Sequence, residues 1–108
     1  MTEKSPLSGP QLEALRPRAL EAARWMKALA NPNRLMILCT LLGGELSVSE
    51  LNQRVELTQS ALSQHLSVLR RDGLVATRRE AQTIYYSLAD ESVSRVIEIL
   101  HNRFCGAG

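Results

Sequence analysis

The spacing of apolar residues changes period along this chain: three- and four-residue steps run up to Leu69, alternation holds from Leu74 to Leu88, and helical steps return from Val93. Helical spacing builds amphipathic helices and alternation builds half-buried strands. The chain is therefore expected to be mostly α with one β-hairpin, in the order ααααββα. At 108 residues it has room for a single domain, and a domain of this size gains from oligomerisation.

Residues 1–10 contain Ser5, Pro6, Ser8, Gly9 and Pro10 without an apolar period and read as a flexible N-terminal tail. The folded domain is expected over 11–105, with 106–108 as a short C-terminal tail. Leu12, Leu15, Ala19, Ala22, Ala23, Met26 and Leu29 predict a first helix from about Gln11, kinked or restarted at Pro17. Asn31-Pro32 supplies an N-cap and a first helical position for a second helix to about Leu42, whose run Leu35–Leu42 is apolar on nearly every side and predicts burial. Ser47-Val48-Ser49-Glu50 has the form of a capping box and opens a third helix to about Arg54. Thr58 caps a fourth, with Ala61, Leu62, Leu66 and Leu69 on one stripe and Asp72-Gly73 at its end. Strands over 74–78 and 83–88 flank a polar tip, Arg79-Glu80-Ala81-Gln82. Asp90 or Ser92 caps a last helix with Val93, Val96, Ile97, Leu100 and Phe104 on one face.

Two short helices joined by a tight turn and followed by a hairpin make a winged helix-turn-helix. The apolar stripe of the fourth helix leaves Gln59, Ser60, Ser63, Gln64, Ser67, Arg70 and Arg71 on or near its open side, with Thr58 at its start. Short hydroxyls and amides let a helix lie deep in the major groove, where Gln pairs with adenine and Ser with base edges or phosphate. His65, beside Leu66, is expected at the half-buried margin of this surface. Arg78 and Arg79 stand where a wing reaches the neighbouring backbone or minor groove. The overall charge of +2 is unremarkable, but residues 58–79 carry four Lys/Arg against one acidic residue. Double-stranded DNA is the expected partner, and a winged-helix module that docks proteins is the alternative from another class.

No Gly-rich phosphate loop, G-x-S-x-G or HExxH is present, so neither enzymatic activity nor a cofactor is expected. The start, Met1-Thr2-Glu3-Lys4-Ser5-Pro6, has no apolar run behind a basic head. A secretory signal is therefore not expected, no membrane partner is expected, and the cytoplasm is the expected address, where thiols rest reduced. Cys39 and Cys105 lack C-x-x-C spacing, which leaves Cys39 either as a small buried hydrophobe or as half of a thiol pair.

The blocks Leu29–Leu35, Glu45–Leu51, Ser60–Leu66 and Leu69–Val75 resemble ArsR-family repressors, and the likeness spans about 20–105. The resemblance implies a homodimer joined through the first and last helices, the fourth helix in the major groove, and negative control of a promoter. Soft-metal members carry thiolates where this chain has Ser47 and Ser49, and the last helix offers Asp90, Glu91, Glu98 and His101 without the D-x-H opening or H-x-x-H close of zinc members. No metal site is assigned, and a metal-responsive repressor stands as the alternative within the family. Ile37-Leu38-Cys39 and Leu100–Cys105 are similar to the branch that senses sulfide and persulfides. That similarity implies that sulfane sulfur or another oxidant links Cys39 and Cys105 by a disulfide or polysulfide bridge, which weakens operator binding.

Overall fold

Ser8 starts the first helix. In the computed structural model, which describes residues 6–106, its hydroxyl accepts from the Gln11 N–H (3.2 Å) while its own N–H donates to the Gln11 side chain (2.7 Å). Helix α1 accordingly spans Gly9–Leu29, two residues earlier than the apolar spacing predicts. Gly9 and Pro10 look like loop residues, yet proline is accommodated in the first helical turn, where N–H groups have no intrahelical partner. The expected tail over 1–10 thus shrinks; its residues 1–5, and 107–108 at the other end, lie outside the described residues. Pro17 sits inside α1 without dividing it. The hydrogen bond it omits belongs to the Glu13 carbonyl, on an exposed stretch where water can replace it.

Asn31 caps α2 (Pro32–Thr40), its side chain accepting from the Arg34 N–H at 3.0 Å, and a 3₁₀ turn over Leu41–Gly43 follows. Burial of α2 is one-sided rather than complete: Ile37 and Leu38 are inaccessible, whereas Met36 is 59% exposed. Ser47 and Glu50 form the expected capping box of α3 (Val48–Arg54). Helix α4 (Gln59–Arg71) is capped by the Thr58 hydroxyl, which accepts from the Ala61 N–H at 3.1 Å. Asp90 caps α5 (Glu91–Cys105), which ends at Gly106 in the left-handed conformation.

The hairpin pairs β2 (Val75–Glu80) with β3 (Thr83–Leu88) from Val75↔Leu88 to Glu80↔Thr83. A strand that the sequence did not signal, β1 (Leu46–Ser47), joins the other side of β3, so the sheet has three strands in the order β1-β3-β2. The tip also differs from expectation. Arg79 and Glu80 continue the strand, leaving only Ala81-Gln82 to turn the chain, with Ala81 at φ 56. This left-handed backbone costs an L-residue on the order of 1–2 kcal/mol.

Leu38 of α2, Leu51 of α3, Leu62, Leu66 and Leu69 of α4 and Ile97 of α5 form the centre of the core, all fully buried. Helix α1 contributes little to it. Ala28 is its one buried residue, while Leu12, Leu15 and Met26 are each half-exposed or more.

Candidate nucleic-acid interface

Burial of Leu62, Leu66 and Leu69 fixes the rotation of α4 about its axis, because residues at three- and four-residue steps share one face. The expected DNA-reading side chains follow from that constraint. Thr58, Gln59, Ser60, Ser63, Gln64, Ser67, Arg70 and Arg71 are all exposed. Thr58 also caps the helix, and both Nε and Nη2 of Arg71 donate to the Asp72 carboxylate at 3.2 Å. His65 lies at the margin, half-buried, with Nδ1 3.4 Å from Arg34 Nη1. Arg34 in turn donates from Nε to the Ala28 carbonyl at 2.7 Å, so α1, α2 and α4 meet at this corner.

The wing arginines differ in their commitments. Arg78 and Tyr85 are cross-strand partners, and the guanidinium lies over the Tyr85 ring at 4.7 Å while donating to Glu45 at 2.6 and 3.2 Å. A second carboxylate, Glu80, stands 3.7 Å away. The Arg78 fork holds the Glu45 carboxyl below the usual carboxylate range, so the pair persists until pH falls through that lowered value. Arg79, on the opposite face of the ribbon, is exposed and makes no ion pair among the described residues. Tyr86 packs against the core, so the two tyrosines divide between the faces.

Glu45 was not legible as a partner of Arg78, since the two lie 33 positions apart and only β1–β3 pairing brings them together. Glu45→Gln is expected to free Arg78 and raise DNA affinity by about two- to five-fold, the modest scale of a half-exposed ion pair. Anisotropy titrations at fixed salt check this; unchanged or weaker binding would mean that Glu45 aims Arg78 instead of competing for it. A second feature hidden from the sequence is a cleft of about 780 Å³ between α3, the start of α4 and the hairpin, lined by the amides of Asn52, Gln53, Gln59 and Gln82.

Away from the charged side chains of α4 and the wing, Cys39 is half-buried on α2 and Cys105 is exposed at the end of α5, and both are free thiols. Burial pushes the Cys39 thiol up, the charge of a Cys105 thiolate pushes it further, and α5, which carries Cys105, packs against α2, which carries Cys39. Among the described residues no three His, Cys, Asp or Glu side chains converge on a metal position. Of the candidate ligands in the last helix, Asp90 accepts from the Ser92 hydroxyl (2.7 Å) and the Val93 N–H (3.0 Å), and Glu91 pairs with Arg95 at 2.9 Å. No helix among the described residues is long and apolar enough to cross a membrane.

A helix-turn-helix with a three-stranded wing and a polar, basic recognition face defines a DNA-binding transcriptional regulator. The pattern of bacterial regulatory proteins of the arsR family matches residues 31–77. The transcriptional activator HlyU of Vibrio cholerae is 54% identical over 96 residues, 89% of each chain. The biofilm growth-associated repressor of Agrobacterium fabrum is 46% identical over 111 residues, 97% of this chain and 95% of that one. The structure of reduced HlyU superposes with a TM-score of 0.77 at 54% identity, over 86% of this chain and 98% of that one. A homodimeric winged helix-turn-helix DNA-binding domain from Mycobacterium bovis gives 0.72 at 33% identity, over 91% and 87%. The chain belongs to the ArsR family of transcriptional regulators, which are not enzymes.

Proposed function

We propose that two copies of this chain form a repressor that grips operator DNA when Cys39 and Cys105 are reduced and releases it when sulfane sulfur links them. The observation that carries the thiol half of this reading is the packing of α5 against α2, which places an exposed thiol, Cys105, and a half-buried one, Cys39, on neighbouring helices. In each half-site Gln59, Ser60, Ser63, Gln64 and Ser67 face base edges, Arg70, Arg71, Arg78 and Arg79 face phosphates, and Thr58 and His65 border the contact. Dimerisation is supported by the homodimeric Mycobacterium bovis relative and by the uncovered apolar residues of α1 and α5, where Leu12, Leu15, Met26, Ile99 and Phe104 are 50–77% exposed.

The chemistry balances with a persulfide, RSSH, as oxidant. The Cys105 thiolate attacks the outer sulfur, forming Cys105–S–SH and releasing RSH once the leaving thiolate is protonated. The Cys39 thiolate then attacks Cys105 Sγ and expels HS⁻, so two thiols lose two electrons and RSSH is reduced to RSH and H₂S. Retention of one extra sulfur from a second RSSH gives a trisulfide, which relaxes the Cα separation of about 7 Å that a disulfide tolerates. Either bridge ties α5 to α2, and α2 packs against α4. A tilt there alters the spacing of two recognition helices that must reach half-sites about 34 Å apart.

The test is fluorescence anisotropy of a duplex from the protein's own promoter region, with reduced protein, protein treated with a persulfide donor, and treated protein after reductant. Loss of affinity that reductant restores is expected. Binding that ignores the donor would leave the regulator and remove the switch, and binding insensitive to salt would favour a protein-docking module.

A further inference from the structure

Between α1 and the last turn of α4 opens a cleft of about 710 Å³ whose walls carry Arg24, Lys27, Arg34 and Arg71 against one carboxylate, Asp72. We propose that this cleft is a second phosphate-binding surface, in which Arg24 and Lys27 grip the backbone of the DNA strand that runs along the α1 side of α4. The inference rests on the reading of α4 as the helix that enters the major groove.

Four cations on one cleft do not by themselves imply a ligand, so their existing partners decide the matter. Asp72 is 4% exposed at its side chain and is already held by Arg71. Arg34 donates to the Ala28 and Lys27 carbonyls at 2.7 and 3.5 Å, which satisfies the C-terminal end of α1. Arg24 and Lys27 make no ion pair among the described residues, whereas the other two arginines of α1, Arg16 and Arg18, pair with Glu13 and Glu21 at 3.2 and 2.6 Å. Two uncompensated cations, one helical turn apart, therefore face the cleft. Lys27 also suits the last turn of a helix, whose carbonyl end attracts cations; Arg24, a turn earlier, has no such local reason.

Position argues for DNA over a small anion. Arg71 belongs both to the open face of α4 and to the cleft wall, so the basic surface continues from the recognition helix without a break. A helix about 10–12 Å across fills a major groove about 12 Å wide, which brings a phosphate strand against each of its flanks. The flank toward α3 and the wing has the amides of the other cleft. Beside the last turn of α4 stands α1, and Arg24 and Lys27 are the charges that α1 presents there. At 100° per residue, positions 20, 24 and 27 fall on a different side of α1 from the apolar stripe Leu12, Leu15, Ala19 and Met26.

The experiment measures operator affinity against potassium chloride concentration for the reduced full-length protein, for Arg24→Gln/Lys27→Gln, and for the charge-matched Arg16→Gln/Arg18→Gln. Each phosphate contact contributes about 0.9 to the slope of log K against log salt, so losing two contacts in each protomer is expected to flatten the dimer's slope by about 3.6. The charge-matched variant is expected to stay within about 1 of wild type, because charges remote from the duplex are screened within roughly 10 Å at 0.1 M salt. Should the first double variant fold poorly by circular dichroism, Lys27→Gln alone is expected to flatten the slope by half as much. Equal slopes for cleft variant and wild type, or equal flattening in both double variants, would overturn the proposal while the DNA reading stands. A wild-type protein with no salt-dependent binding would remove both.

Discussion

Cys105→Ser is expected to hold the operator as tightly as the wild type when reduced, and to keep holding it when a persulfide donor releases the wild type. The thiols divide their labour by environment. Cys105 is exposed, so it meets the donor first; burial keeps the Cys39 thiol protonated to higher pH and slows its own attack on external sulfur. Cys39 instead closes the bridge once Cys105 carries the transferred sulfur. Cys39→Ser is accordingly expected to accumulate an open Cys105 persulfide, visible as a mass increase of one sulfur without loss of both thiols. The wild-type change should lie between about 5- and 150-fold, the range of coupling energies through which two sites in one protein influence each other. Because the Cys39 pKa is raised, the thiolate fraction is small below it and grows about tenfold per pH unit, so bridge closure should accelerate with pH in the same proportion while donor attack at Cys105 is not limiting. Full donor response in Cys105→Ser would sink the two-thiol mechanism.

Leu62→Ala carries the largest expected loss of stability. Leu62 is fully buried and sits on α4 directly behind the surface assigned to DNA. Truncation removes buried methyl groups and leaves a cavity, at a cost of about 2–5 kcal/mol. Against a total stability of about 5–15 kcal/mol this is a large fraction. The melting temperature should drop by roughly 8–40 °C, at about 4–8 °C per kcal/mol for a domain near this size. The comparison must be made at one protomer concentration, because association of two chains adds concentration-dependent stability. Ser63→Ala, on the opposite face of the same helix, should change stability by less than about 0.5 kcal/mol and lower operator affinity instead. A Leu62→Ala cost below about 1 kcal/mol would mean that α4 is not seated on the core through this residue.

Local chemistry explains why much of the fold could be read in advance. Asn31, Ser47 with Glu50, Thr58 and Asp90 each supply an oxygen to N–H groups that every helix start leaves unpaired, and each begins its helix as expected. The apolar stripe of α4 orients that helix by the same reasoning, which is why the exposed serines and amides were identifiable as one surface. The misreadings are equally physical. Ser8 caps α1 through Gln11, but Gly9-Pro10 concealed a helix start behind two residues better known from turns. The two-residue strand Leu46–Ser47 is too short to show alternation and exists because Tyr86 and Tyr85 of β3 pair with it. The two-residue turn at Ala81-Gln82 lacks the glycine or asparagine that would announce it, so the length of the wing emerged only from the pairing register.

What the sequence by itself determined, then, is everything that depends on neighbours within a few positions: helix starts, the buried stripe of α4, and the change of period that makes a wing. Tertiary structure alone decided which distant charges cancel and which remain available. Glu45 occupies Arg78 and Arg34 reaches back to the carbonyls of α1, while Arg24 and Lys27 are left without ion-pair partners among the described residues. The same holds for Cys39 and Cys105, whose helices α2 and α5 come together only through packing. Caps and periodicity act through the backbone over one or two turns, whereas ion pairs and thiol pairs depend on distances of a few ångströms between segments that only packing brings together.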